Sequence, residues 1–422
     1  MRLLKIGVYY PTYLKQFYAR RPDRAALPYA AQHAALIDDC FGSSDFWTKP
    51  LSRSGYETCD LIANVEPMQK AWAAEHGLAF GDVDWLFEIT AAQVKDFRPD
   101  VLIVADYSTV TAAFLRHLRD ICPSLRLILG WCGAPYADGS VFGECDIVLS
   151  CVPELVAHFR EVGYSSRHVN HAFEPRILER IETASAPTAD FVFLGSIVKS
   201  NQFHLERERI LSRLVEETDL QIWSEIGPQS PPRQQSDAPE SQKVREGTPA
   251  EQSNASMRDV LLSVPPLFGR AARRAARLFH GGAANSTHPS SVDMRVARRA
   301  HPPLFGLAMF QQLRDSRVAL NTHIDISPVS ASNMRLFEAT GVGTCLLTDW
   351  KANLRELFEP DAEVVAYRDA AECIEKVQYL LGHEAARRSV AAAGQRRTLR
   401  EHTFESRAAQ IDAIIREALS NA

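Results

Sequence analysis

The sequence predicts an α/β protein of two Rossmann-like domains whose parallel sheets face a central cleft, and three observations carry that expectation. A length of 422 residues exceeds what one hydrophobic core commonly serves. Short, uniformly apolar runs alternate with segments of helical spacing, as parallel strands covered on both faces require. After the loop 183–188 (TASAPT) the same alternation begins again.

In chain order, the first unit offers strands at 4–10 (LKIGVYY), 101–105 (VLIVA), 127–131 (LILGW) and 147–151 (IVLSC). Between them lie helical patterns such as Leu155, Val156, Phe159 and Val162, stopped by Gly163. The second unit opens with 191–195 (FVFLG), a helix carrying Ile210, Leu211, Leu214 and Val215, and a strand at 220–223. Residues 227–256 are rich in Pro, Gln, Ser, Glu and Gly and read as a disordered insertion, too polar to offset the entropy of ordering. Residues 258–299 concentrate Arg270, Arg273, Arg274 and Arg277 on a short amphipathic segment. That segment reads as a solvated helix face or as a contact with anionic lipid or an anionic acceptor. A helix and strands at 318–321, 344–347 and 364–367 follow, and a last helix over 405–419 carries Ile411, Ile414 and Ile415 on one stripe. The expected division is an acceptor-side domain at 1–182, a donor-side domain at 189–404 interrupted at about 227–301, and a helix at 405–422 crossing back to the first domain.

Composition narrows the function. Hydrophobic residues make up 46% and charged residues 23%, an ordinary globular profile. A formal charge of −5 gives no drive toward polyanions, so nucleic acid is not an expected partner. The eight cysteines form no C-x-x-C pair and read as buried thiols in a reducing compartment. The start MRLLKIGVYYPTYL has no secretory core, and no run approaches the roughly 20 apolar residues of a membrane span. The expected location is cytoplasmic, with the basic segment 258–299 as the one feature suited to the inner membrane face. No strand-flanked D-x-D, no zinc spacing and no G-x-G-x-x-G after Ile6-Gly7-Val8 is present, so neither a metal nor a cofactor is expected.

The most informative stretch is 321–350, NTHIDISPVSASNMRLFEATGVGTCLLTDW, read as strand, loop, helix, glycine turn, strand. Ser330, Ser332 and Asn333 are capping types, and a capped helix start suits an anion. Arg335 and Glu338 lie three apart on one helix face: the guanidinium can pair with phosphate oxygens and the carboxylate can accept ribose hydroxyls. Gly341-Val342-Gly343 is expected to reverse the chain into the next strand.

Residues from about 303 to 418 resemble the C-terminal half of the CgeB-like glycosyltransferases, relatives of the retaining family-four enzymes with the GT-B fold. The resemblance rests on ALNTH, SNMRLFEATGVGTCLLTD, LFEPDAEVVAYRD and REHTFESR in that order. YYPTYLKQFY, DDCFGSSDFW and VADYS resemble the accompanying N-terminal domain, so the likeness spans most of the chain outside about 227–301. It implies Glu338 on the donor ribose, Arg335 and the Asn333 helix start near the diphosphate, and Gly195-Ser196 at a strand end close to the phosphates. It also implies a nucleoside-diphosphate sugar as co-substrate. Retaining family-four enzymes carry two glutamates eight positions apart, yet counting back from Glu338 reaches Ser330. The stereochemical outcome is therefore left open.

Other candidates lie at strand ends, where open parallel sheets bind ligands. Asp106 follows the strand at 101–105, as a general base or as a cap for a helix beginning at 108–109. His171 and His323 follow apolar runs, as catalytic or diphosphate contacts or as structural hydrogen-bonders. Trp131 and Tyr136 in GWCGAPY suit stacking on a sugar, and Asp39 suits an acceptor-facing loop. Loops near Trp223 and Thr348 are candidates for reading the nucleobase. Together these predict a metal-independent glycosyltransferase acting on a hydroxyl of a glycan, lipid-linked or protein acceptor. A non-catalytic two-domain binding protein and a sugar-nucleotide epimerase are the alternatives.

Overall fold

Strands without a polar face must be covered on both sides, and the chain solves this twice. The computed structural model describes residues 1–134, 136, 138–182, 186–198, 203–226 and 292–421. Strands β1 (Arg2–Gly7), β2 (Glu57–Ile62), β3 (Val101–Val104), β4 (Leu127–Trp131), β5 (Ile147–Ser150) and β6 (Ser166–His168) form one parallel sheet ordered β2-β1-β3-β4-β5-β6. Strands β7 (Ala189–Leu194), β8 (Gln221–Trp223), β9 (Ala300–His301), β10 (Ser316–Asn321), β11 (Cys345–Asp349) and β12 (Val365–Tyr367) form a second, ordered β12-β11-β10-β7-β8-β9. Six parallel strands per domain, among the described residues, match the fold class expected.

Several elements differ from expectation for local reasons. β1 stops at Gly7, three residues early, because Pro11 starts the helix Pro11–Arg20. β2 escaped the apolar-run test because it carries Glu57 and Asp60; the Asp60 carboxylate is buried against Lys5 of β1 at 2.9 Å. β6 has three residues, too few for a pattern. The stretch 227–301 is not insertion to its end: helix Met294–Arg298 buries Val296, and β9 pairs with β8. Residues 227–291, with the four clustered arginines, lie outside the described residues, as do 183–185 of the first loop.

The two domains share apolar packing at their junction. Phe173, fully buried, pairs with Thr403 in an isolated parallel bridge, donating its N–H to the His402 carbonyl (2.8 Å) and accepting from Phe404 N–H (3.1 Å). The last helix, Phe404–Ser420, then runs back over helix Thr48–Arg53 of the first domain and buries Phe404, Ala408, Ile411, Ile414 and Ile415.

Two glycines of the 341–343 turn do separate jobs, correcting the reading of a single tight reversal. Helix Arg335–Val342 contains Gly341, and only Gly343 is left-handed (φ +87°). Gly343 N–H bonds to Thr340 O and Thr344 N–H to Ala339 O, the paired closure of a Schellman motif. Gly341 is a notch instead, since a Cβ there would run into the Phe173 ring. In an open helix Gly→Ala gains about 1 kcal/mol. Gly341→Ala should instead lose about 2 kcal/mol through overpacking. Urea denaturation decides by sign; a gain would remove the notch.

Candidate functional site

The carboxyl ends of β7, β10 and β11 meet where the second sheet faces the first. At the end of β10, Asn321 donates to Thr348 Oγ1 (2.9 Å) and accepts from Asn333 Nδ2 (2.7 Å). His323 follows, its Nδ1 2.7 Å from Asp349 Oδ1 and its Nε2 accepting the Ser332 N–H at 3.2 Å. These partners define a neutral ring with the proton on Nδ1, and burial also lowers its pKa. Burial pushes Asp349 up, but His323 and Lys351 together outweigh this and hold the carboxylate well below its ordinary range. The side chains of Thr348 and His323, read as donor contacts, are thus spent inside the protein. They form the floor that holds Asn333, whose Oδ1 is buried without a partner.

The helix start also differs from the capping expectation. Met334 occupies the cap position with no side-chain bond, because Ser332 Oγ donates to Ser327 and Asn333 donates to Asn321 at the end of β10. Arg335 and Glu338 do share a face: Nη1 lies 2.9 Å from Oε2, with Met309 Sδ at 3.3 Å on the other side. Arg335 Nε is buried without an acceptor, and among the described residues no hydrogen bond engages Glu338 Oε1. Burial raises the Glu338 pKa and Arg335 opposes it. Tyr10 of the first domain, 64% exposed, projects within electrostatic reach of Glu338, so the pair faces the cleft.

At the end of β7, Gly195 donates to the Trp223 carbonyl (3.2 Å), and a Cβ there would meet Phe193 Cζ at 2.7 Å. Ser196 is exposed. Beneath it lies Arg207, which the sequence reading passed over. Nη1 donates to Ser196 O (2.9 Å) and Nη2 to Thr322 O (2.7 Å), so one guanidinium ties the ends of β7 and β10. Burial lowers its pKa to about 10, leaving it charged at neutral pH, and Arg335 stands within electrostatic range. One of three arginines in a charged helical stretch gives no sequence signal for this.

The first domain resolves its candidates differently. Asp106 Oδ1 accepts from Ser108 N–H and Oγ, and Oδ2 from Thr109 N–H at 2.8 Å. It closes a turn; the next helix, Ala112–Ile121, starts later than expected and is capped by Thr111. Three of the carboxylate's acceptor sites are taken by this turn, and one remains on Oδ2. His171 packs against Trp131 (centroids 5.2 Å) beside Gly133, and no hydrogen bond engages its ring among the described residues. Burial lowers its pKa to about 4, helped by Arg407, so it is a neutral imidazole. Trp131 also packs on Trp47, and Tyr136 bonds to His158 and stacks on Phe159, so the Tyr136 ring serves the domain core. Asp39 is an interdomain brace: its carbonyl accepts Leu307 N–H (2.9 Å), and Gly306 (φ +56°) presses against it.

Glu154 was also missed, resembling any acidic first-turn residue after Pro153. Both its carboxylate oxygens are buried without a hydrogen-bond partner. Burial raises its pKa, and Ser330 and Lys351 of the other domain partly offset that from across the cleft. Among the described residues no group of three or more His, Cys, Asp or Glu converges as a metal site requires, and no helix is long and apolar enough to cross a membrane.

Two parallel-sheet domains facing across a cleft, closed by a returning C-terminal helix, define the GT-B architecture of glycosyltransferases. A family model described as glycosyl transferase-like matches residues 267–413, so the second domain is glycosyl transferase-like and the class is that of a transferase. The chain aligns with HepE of Anabaena, solved in complex with UDP-glucose, at 10% identity over 99% of this chain and 100% of that one (TM-score 0.52). It aligns with sucrose-phosphate synthase of Thermosynechococcus elongatus at 11% identity over 100% of both chains (TM-score 0.50). A glycosyltransferase from Rickettsia africae aligns at 8% identity over 100% and 99% (TM-score 0.50). No curated protein matches the sequence.

Proposed function

We propose that this protein is a CgeB-like glycosyltransferase that moves a sugar from a nucleoside-diphosphate donor to a hydroxyl acceptor without a metal. The observation that carries the reading is the Arg335–Glu338 pair: a guanidinium with a buried, unpaired Nε beside a carboxylate oxygen without a donor, both at the cleft. A diphosphate would satisfy the first and ribose hydroxyls the second. Catalysis then rests on positioning and on stabilising the departing diphosphate. Of the two candidate bases, His171 is the better placed, since it is neutral and no hydrogen bond engages its ring among the described residues, whereas Asp106 spends three acceptor sites on its own turn. The acceptor is a hydroxyl of a glycan, a lipid-linked sugar or a protein.

Thermal shift against nucleoside diphosphates and nucleotide sugars tests this, with uridine nucleotides first because of the ligand in HepE. A ligand at 100 times its Kd adds about 2.7 kcal/mol to apparent stability. One nucleotide should stabilise the wild type by this order, and Glu338→Ala should lose most of that gain. A folded protein that no nucleotide stabilises would overturn the donor site. Formation of an epimeric sugar nucleotide without an acceptor would mean epimerisation instead.

A further inference from the structure

Helix Leu205–Glu217 buries a cation, Arg207, on which the carboxylates of Asp349 and Asp325 act only from beyond ion-pair distance. Arg207 is 8% exposed, and among the described residues no carboxylate lies within ion-pair distance of it. Its Nε is buried without an acceptor. Taking an ion out of water is costly even after relaxation, and here two carbonyls and His204 Nδ1 at 3.4 Å hold the guanidinium without a directly paired carboxylate. The Phe193 ring, 5.7 Å from Cζ, offsets only part of that.

The two carbonyls show where the missing charge belongs. A trans peptide points its N–H opposite to its C=O, so drawing Ser196 O and Thr322 O inward turns the following N–H groups away from Arg207. Beyond Thr322 that N–H is His323, and it is taken by Asp349 Oδ1 at 3.1 Å. Beyond Ser196 it is Ile197, and among the described residues no acceptor is paired with the Ile197 or the Ser196 N–H. Successive free amides at a strand end, backed by a buried guanidinium and within electrostatic reach of Arg335, make an anion cradle.

We propose that Arg207 is the positioning residue of a diphosphate cradle, setting the Ser196-Ile197 peptide toward the anion and supplying buried positive potential behind it. This rests on the donor reading above and gives its diphosphate a seat. Arg207 itself does not touch the ligand.

Inorganic pyrophosphate is the probe, because it binds the cradle without a base or a sugar. Its affinity is measured by thermal shift and calorimetry on the full chain with Arg207→Gln and Arg207→Lys. We expect Arg207→Gln, where it remains folded, to weaken pyrophosphate at least tenfold, and Arg207→Lys, which keeps the charge, to recover part of the loss. Equal pyrophosphate affinity in wild type and a folded Arg207→Gln would overturn the proposal, as would a Lys variant no better than Gln. Should Arg207→Gln not fold, the wild type decides, since absence of any shift with millimolar pyrophosphate rejects the cradle. Arg207-dependent pyrophosphate binding in a protein that binds no nucleotide sugar would keep the cradle and reject the donor reading. Glu338-dependent nucleotide binding with Arg207 irrelevant would do the reverse.

Discussion

Replacing Arg335 by alanine should reduce sugar transfer by roughly 10²–10³, the loss seen when one preorganised donor to a developing charge is removed. The guanidinium is held ready by Glu338 at 2.9 Å and by Met309, so nothing must be reorganised when the diphosphate departs. The substitution has a second consequence. Glu338 is buried with its pKa already raised, and among the described residues Arg335 is the neighbour that favours its charge. A carboxyl whose folded pKa lies above its unfolded value stabilises the fold below the unfolded pKa and loses that contribution as pH rises through the folded value. The variant's melting deficit should therefore be largest at neutral pH and shrink as the pH falls through the carboxylate range. Wild-type turnover would remove Arg335 from the mechanism, and a deficit independent of pH would remove Glu338 as its cause.

Ending the chain before Phe404 should cost more stability than any single substitution proposed here. Helix Phe404–Ser420 buries one phenylalanine and three isoleucines in the junction core. At about 2 kcal/mol each the gross loss is roughly 8 kcal/mol, comparable with a whole domain's stability of about 5–15 kcal/mol. The Phe404 ring sits 5.1 Å from both Phe46 and Trp47, so truncation also opens the first domain to water. The polar ties matter less: Arg53–Glu405 is more than half exposed on both sides, and such pairs contribute under about 1 kcal/mol. We expect the truncated chain to aggregate or to lose more than about 10 °C in Tm. An unchanged denaturation midpoint would mean the helix is an ornament on a domain that closes without it.

The Arg335–Glu338 pair was legible because helical spacing is local: residues three apart share a face wherever the helix sits. Strands β3, β4 and β7 were legible for the same kind of reason, since runs such as VLIV and FVFL have no polar side to present to water. β2 was not, because Asp60 reads as exposed until Lys5, 55 residues earlier, is placed beside it. Thr348 and His323 were read as ligand contacts from the right position, the end of a strand. Their polar atoms are already bonded to Asn321, Asp349 and Ser332, and no pattern along the chain announces that.

By itself, the sequence determined the repeated strand-helix alternation, the amphipathic tail, and the helix that presents an arginine and a glutamate together. These follow from periodicity and side-chain polarity over spans of a few residues. The tertiary structure alone decided which polar groups are satisfied and which still await a partner. Arg207 meets its carbonyls 11 and 115 residues away, and Glu154 comes within reach of Ser330 and Lys351 only across the cleft. A hydrogen bond is a contact in space, so its fulfilment, and with it the chemistry left over for a ligand, appears only once the chain has folded.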